Sequence, residues 1–456
     1  MLPIRLLLAA LLGLLTLPAF AQPRTKQYVR QHLSPIASIQ PDYADNSDLA
    51  AFGQAVGDAR IVMLGEQDHG DGATFLAKTR LVKYLHEQKG FNVLAFENDF
   101  FGFNQSWEQV AAAPDKQAAF LHTNTDYYWS GCQQCDQLLY HYIPQTAGSA
   151  HPLRVIGFDS ELYSDYSRQF LPGYLHTYLA RHNLPFLKTR AYQQFFRPFI
   201  DTLLVSSNFM TGKLDLDHPV NVISIKDKRG KLRRFEAYLD TLATQLPTAA
   251  PAEAYERQLL RNLRALAQES AVYTDDHNAT YNVRDAQMAA NLDWLANVKF
   301  KDEKIIVWAA SYHIAKGKGS DYFVLGQQKD QQRNYLDAIH TMGRVFTETG
   351  HNREQTYILG FISGGGSTQR TVMGQPTPIA PPIKNSLESW LPPSLAYGFL
   401  DFQPLRAQQV GPKPEYFGMQ GLHHQTQYAD WPSFFDGVFY LKTMTPCTRT
   451  GYTAGK

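Results

Sequence analysis

The sequence predicts an α/β protein: a mostly parallel β-sheet flanked by helices, with a helical insertion. Three observations carry this expectation. Four short, continuous apolar runs, "RIVMLGE", "NVLAFEND", "RVIGFDSE" and "KIIVWAASYH", each deliver ionisable or polar groups at their C-terminal ends. A helical pattern separates the first two runs. The stretch between the third and the fourth reads as helices without strand runs between them.

Taken in chain order, the N-terminus "MLPIRLLLAALLGLLTLPAFAQ" has one early charge, Arg5, then an apolar run and Ala19-Phe20-Ala21. Its apolar core falls short of the roughly 20 residues that a membrane span needs. With an A-x-A site it reads as a signal peptide, residues 1–21, cleaved after Ala21, and the protein is expected to be exported to the periplasm or beyond the cell. Next comes "RIVMLGEQDHG", whose unbroken apolar stretch is the signature of a strand buried on both faces. It delivers Glu66 and His69, three residues apart in a glycine-flanked turn. The helix "FLAKTRLVKYLHEQKG" has apolar Leu81, Val82 and Leu85, and Gly90 as its stop. "NVLAFEND" then ends at Glu97, Asn98 and Asp99, completing a βαβ unit. "RVIGFDSE" ends at Asp159 and Glu161.

Residues 165–275 form the predicted helical insertion, a lid or pocket wall over the sheet edge. The main body is then 22–164 and 276–456. In "TYNVRDAQMAANLDWLANV", Arg284, Met288, Leu292 and Leu295 share one helical face, with the arginine at its N-terminal end. Read alone, Arg284 is a snorkelling side chain. "KIIVWAASYH" ends at His313, and a fifth run, "TYILGFISGGG", ends in glycines. The part after about residue 380 is expected to pack on the main body. Open parallel sheets bind ligands outside the carboxyl ends of their strands. Glu66, His69, Glu97, Asp159 and His313 all fall at that edge.

The 456 residues are 44% hydrophobic and 19% charged, with a net charge of +1. This balance gives no electrostatic footprint for nucleic acid. No later segment is apolar enough to span a membrane, so no integral membrane association is expected after signal cleavage; the expected partner is a small-molecule substrate. Cys132 and Cys135 stand in "CQQC", and Cys447 stands alone. A zinc site would want a second ligand pair nearby. The expectation is a local structural disulfide or two free thiols.

Together these motifs resemble the erythromycin esterase family. The resemblance rests on Gly65-Glu66-Gln67-Asp68-His69-Gly70, on Lys78 and Arg80, on Ala95, Glu97 and Asp99, and on Gly157 and Asp159. It continues in Asn282, Arg284, Asp285, Met288 and Ala289, and in "IIVWAASYH". The chain departs from the family pattern where Ala310 and Ser311 replace a His-Asn pair, leaving only His313. That loss weakens the expectation of a macrolide substrate more than that of hydrolysis.

No G-x-S-x-G elbow appears, which argues against a serine nucleophile. The resemblance implies that His69 acts as general base on water, without a cofactor or metal. Glu66 or Glu97 would orient the imidazole, and Arg80, Arg284 and His313 would stabilise developing negative charge. Arg284 and Asp159 are the substrate-binding candidates. Bland alternatives stand beside these roles: a polar turn at Glu66 and His69, a salt bridge from Glu97 to Arg80 or Lys78, a structural hydrogen bond at Asp159, and a core histidine at His313. Two other function classes remain open. Histidines and carboxylates are metal-ligand types, as in a metal-dependent hydrolase of the Tiki type. A ChaN-like protein would bind haem or another ligand without turnover.

Overall fold

The computed structural model describes residues 24–210, 225–247, 254–272, 277–317, 322–324, 339–370, 372, 374–408 and 415–453. The expected signal peptide lies outside these residues. The described strands are, in chain order, β1 (Ser34–Ile36), β2 (Ile61–Glu66), β3 (Phe91–Asp99), β4 (Arg154–Asp159), β5 (Lys304–Ala310) and β6 (Tyr322–Val324). They continue with β7 (Thr356–Ser363), β8 (Ser367–Thr368), β9 (Thr377–Pro378), β10 (Tyr397–Asp401), β11 (Phe417–Leu422), β12 (Gln425–Ala429) and β13 (Gly437–Leu441). Eight of them make the main sheet, in the order β1-β10-β13-β7-β2-β5-β3-β4. From β13 to β4 every neighbouring pair is parallel. Only β10 runs against its neighbours β1 and β13. The fold is therefore α/β with a mostly parallel sheet, and each of the five apolar runs forms one of its strands.

Alternation along these strands explains why the runs are unbroken. Ile61, Met63, Val93, Ala95, Ile305 and Val307 point into one apolar cluster. Val62, Leu64, Leu94, Phe96, Ile306 and Trp308 point into another on the opposite face. All six residues of β2 are buried. A strand between two such layers has no wet face and needs no polar alternation.

The stretch after β4 is helical wherever it is described, with long helices at Asp165–Arg181, Arg197–Met210, Ile225–Gln245 and Ala254–Val272. Leu171, Leu175, Phe235, Leu259 and Leu263 join the same cluster as Ile61 and Met63. These helices thus cover a face of the sheet as well as approaching its edge. Among the described residues no helix is long and apolar enough to cross a membrane.

The C-terminal part does more than pack against the body, because β10 and β13 are strands of the main sheet. It also corrects the cysteine expectation. Cys132 pairs with Cys447, 315 residues away, and Cys135 is a buried free thiol. The reason is that the chain end runs beside the "CQQC" segment. Gln133 N–H donates to Thr448 O at 2.8 Å and Thr450 N–H to Gly131 O at 2.9 Å. This brings the Cys132 and Cys447 Cα atoms to 5.4 Å, the ordinary bridging distance.

Candidate active site

β5 lies between β2 and β3, and the ends of β2, β5, β3 and β4 stand in a row. At the first of these ends, two glycines let the chain turn. A Cβ on Gly65 would meet the Ser311 Cα at 2.7 Å, so the end of β5 packs directly on the β2 backbone. Ser311 Oγ donates to the Gly65 carbonyl at 2.9 Å. Gly70 has φ +82°, and a Cβ there would lie 1.7 Å from the Gln369 carbonyl oxygen. The glycines around the acid and the imidazole are therefore demanded by close approach and by a left-handed turn.

Glu66 is fully buried. Its Oε1 accepts from Trp129 Nε1 at 3.2 Å and faces His69 Nδ1 at 3.3 Å. Its Oε2 accepts from Lys78 Nζ, and that ammonium also donates to Ala309 O at 3.3 Å. Lys78 Nζ lies 4.0 Å from the centre of the Trp308 ring. Burial pushes the Glu66 carboxyl up, but Lys78 and His69 overcome it and hold the pKa down at about 2. A standing carboxylate at this place favours Nδ1 as the donating nitrogen of His69. The imidazole stacks on Tyr128, with ring centres 4.6 Å apart, and meets Trp129 edge-on at 5.2 Å. Arg370 lies beyond Tyr128, 5.7 Å from that ring, and donates to Asp68 at 2.7 Å.

The β3–β4 side is a denser network. Glu97 Oε2 accepts from the Ala310 N–H at 2.9 Å, and Oε1 accepts from Arg284 Nη2 at 3.2 Å. Arg284 donates from Nε and Nη2 to the two oxygens of Asp159, at 3.0 and 2.5 Å. The helix that carries Arg284, His277–Trp294, is tied to β4 by Asn291 Nδ2, which donates to Phe158 O at 3.0 Å. The next residue, Asp285, faces His313 Nδ1 at 2.5 Å. His313 Nε2 faces Glu97 Oε1 and Arg284 Nη1, each at 3.4 Å. Burial opposes a charge on His313, but Asp285 and Glu97 raise its pKa above the ordinary histidine value.

A cavity of about 290 Å³ opens over this row. His69, Glu97, Asp159 and Arg284, all expected from the sequence, line it. Glu66 and His313 stand behind it, in contact with lining residues. Sequence reasoning gave no site role to Asp126, Tyr128, Trp129, Glu161, Glu269 or Arg370, which also line it. Glu269 comes from the Ala254–Val272 helix in "ALAQES", where nothing distinguishes it from an acid facing water. A hairpin tip was equally illegible. His423 N–H donates to Gln67 O at 3.1 Å, and His424 Nε2 lies 2.9 Å from Asp71 Oδ2. The tip between β11 and β12 thereby pins the turn after β2.

Arg80 is a correction. It donates to both oxygens of Asp48, at 2.9 and 2.7 Å, and to the Asp45 carbonyl at 2.7 Å. It does not line the cavity. Residues two apart on a helix point about 200° apart, so Lys78 and Arg80 serve opposite sides of the Gly72–Lys89 helix. The expected ion pair of Glu97 with Arg80 or Lys78 is also replaced. Because β5 intervenes, Lys78 meets Glu66, while Glu97 meets Arg284 and His313. Arg284 is no snorkelling side chain, and Asp159 holds it in an ion pair.

The ligand set expected from the sequence, Glu66, Glu97, Asp159 and His313, does not fit a metal or a haem. The carboxylates expected from the sequence as ligands already hold fixed cations, Lys78 on Glu66 and Arg284 on Glu97 and Asp159. The only nitrogen of His313 not facing Asp285 looks at Arg284.

The family model for erythromycin esterase matches residues 86–444. The chain belongs to the erythromycin esterase family. It is also similar to the protein YbfO of Bacillus subtilis, whose name gives it as a hydrolase. The two are 23% identical over 446 residues, covering 92% of this chain and 91% of that one. Among solved structures, a Bacillus cereus protein superposes with a TM-score of 0.64 at 17% identity, covering 94% of this chain and 98% of that one. A mutant of erythromycin esterase EreC in its open conformation superposes with a TM-score of 0.59 at 15% identity, covering 90% and 97%. At these identities the structural likenesses show the fold alone.

Proposed function

We infer that this hydrolase of the erythromycin esterase family cleaves an ester or lactone of a small molecule by general-base activation of water. His69 is the base. One observation carries this reading: an ionised, buried Glu66 holds Nδ1 of an imidazole that lines the cavity. With Nδ1 donating, Nε2 is the nitrogen that accepts, and it takes a proton from a water in the cavity. Histidine is the side chain most often used as a general base. As that water attacks the carbonyl carbon, charge grows on the carbonyl oxygen. Arg284 and Arg370 are the lining cations that can face it. Glu97 and Asp159 position Arg284, and His313 buttresses Glu97 from behind.

Residues 165–275 are read as the lid, which is supported by the Glu269 side chain reaching the cavity from the Ala254–Val272 helix. Export is inferred from the N-terminal sequence alone. Mass spectrometry of the protein from its own host should show a chain beginning at Gln22. Retention of Met1 would refute this.

The test of the chemistry is a panel of esters and lactones incubated with the purified protein, with and without EDTA. Hydrolysis that is indifferent to EDTA supports water activation by His69. Activity that EDTA abolishes would overturn it in favour of metal chemistry. No hydrolysis of any member would overturn the ester reading itself.

A further inference from the structure

The cavity holds two carboxyl groups that the mechanism above leaves unused. Glu161 lies two residues beyond β4 and Glu269 lies on the Ala254–Val272 helix, and both line the cavity. Their carboxyl groups face one another. The pair is held there by a backbone tie. Asn262 Nδ2 donates to Ser160 O at 2.7 Å, next to Glu161, and Asn262 Oδ1 accepts from Asn291 Nδ2 at 2.6 Å. Asn262 and Glu269 are seven residues apart, hence on one face of their helix. The bond that anchors the helix over β4 therefore also aims Glu269 at Glu161.

The charges around this pair do not balance. Facing Glu161 are Asp159, Asp126, Glu269 and one cation, Arg284. Facing Glu269 are Glu161, Asp159 and the same Arg284. Arg284 Nε is 3.8 Å from Glu161, while its shorter contacts go to Asp159 and Glu97. Glu269 is 1% exposed, and its Oε2 has no hydrogen-bond partner. Two facing carboxyl groups that share one already committed cation disfavour double ionisation, so the pair keeps a proton. In the same direction, burial pushes Glu161 up to about 7 and raises Glu269 well above the ordinary carboxylate range.

We propose that Glu161 and Glu269 act as one proton-holding pair that protonates the leaving alcohol, across the cavity from His69. This rests on the ester reading given above. The two ends are set apart by the sheet. β2 carries His69 and β4 carries Glu161, with β5 and β3 between them. Three strand spacings separate them by roughly 14 Å at the backbone. A base at one wall and an acid at the other leave the scissile carbonyl between them.

The proton and electron balance closes. His69 takes one proton from water as its oxygen bonds to the acyl carbon, and the carbonyl electron pair moves to its oxygen. That pair returns, the bond from carbon to the alkoxy oxygen breaks with its electrons on oxygen, and the proton of the pair goes to that oxygen. The acid product loses its remaining proton to solvent. The proton on His69 passes through solvent back to the pair.

The test compares two esters of the acyl group that the wild type hydrolyses fastest. The alkyl ester needs a proton on its leaving oxygen, whereas the p-nitrophenyl ester leaves as a stable phenolate. Glu269→Gln should lower kcat on the alkyl ester by about 10²-fold or more, the span of a general acid. It should leave the p-nitrophenyl rate nearly unchanged, with an unaltered melting temperature. In the wild type the alkyl-ester rate should fall as alkaline pH strips the shared proton, and this limb should vanish in the variant. Glu161→Gln should reproduce the leaving-group selectivity. Equal losses on both esters in both variants would overturn the role while leaving the ester reading intact. A wild type inactive on every ester would overturn both readings together.

Discussion

The two histidines at the sheet edge start from the same device and end in opposite situations. Each presents Nδ1 to an acid, His69 to Glu66 and His313 to Asp285. Beyond that they part. His69 lines the cavity with its ring stacked on Tyr128, while the Nε2 of His313 is enclosed by Glu97 and Arg284. The acids differ too. Glu66 meets one buried ammonium, one indole N–H and the imidazole, a locally balanced set. Glu97, Asp159 and Asp285 share one guanidinium and one imidazole, so His313 is drawn towards the charged form. In the proposed reading the imidazole at the cavity wall is the base, and the enclosed one, drawn towards its charged form, is a structural charge. The surroundings, not the residue type, divide the labour.

The sharpest way to break this comparison is to remove each ring in turn. His69→Ala should cost about 10²- to 10⁴-fold in turnover. Its melting temperature should barely change, because the ring stands at a cavity wall. His313→Ala should cost less than about tenfold in turnover, under roughly 1.4 kcal/mol of barrier, and should lower the melting temperature, because Asp285 and Glu97 lose a partner. Turnover on any cleaved ester, read beside thermal melts, decides the matter. The reversed pattern would exchange the two roles.

A second expectation concerns the stability of the β2 side. Lys78→Met keeps the volume but leaves Glu66 without its ammonium. Removing one member of a buried ion pair costs roughly 3–5 kcal/mol. Denaturant unfolding should show a loss of that size. A loss under 1 kcal/mol would mean that Trp129 and His69 suffice to hold the carboxylate.

The smallest effect is the opposite pH response of the two sides. Glu66 has a lowered pKa, so its contribution to stability is complete above its unfolded value of 4.5 and fades as the pH falls towards about 2. His313 has a raised pKa, so its contribution is complete below its unfolded value of 6.5 and fades as the pH rises through its folded value. Melting curves of Glu66→Gln should lose the acid-side slope that the wild type shows. Those of His313→Asn should lose a slope on the alkaline side. Identical slopes in all three proteins would contradict the assignment.

Much of the sheet was legible because its strands are buried on both faces, and burial writes itself as continuous apolar runs. Glu66, His69, Glu97 and Asp159 could be named because strand ends fix which residues meet the binding edge, whereas Arg284, on a helix, was named only through the family resemblance. Their pairings could not. The partner of Glu97 depends on which strand lies beside β3, and β5 enters that place from more than 140 residues away in sequence. Arg80 was misplaced for a related reason. Its distance from Lys78 in sequence is short, but the helix turns them to opposite sides.

What the sequence determined by itself is local: strand and helix periods, the glycines around Glu66 and His69, and the identity of the groups at each strand end. These follow from backbone sterics and from the hydrophobic pattern, which act within a few residues. Tertiary structure alone decided which acid meets which base, that Cys132 bonds Cys447, and that Glu269 comes down from a distant helix to line the same cavity as Glu161. Those outcomes depend on strand order and helix placement. The energies that select them arise between groups far apart in the chain, where no local pattern records them.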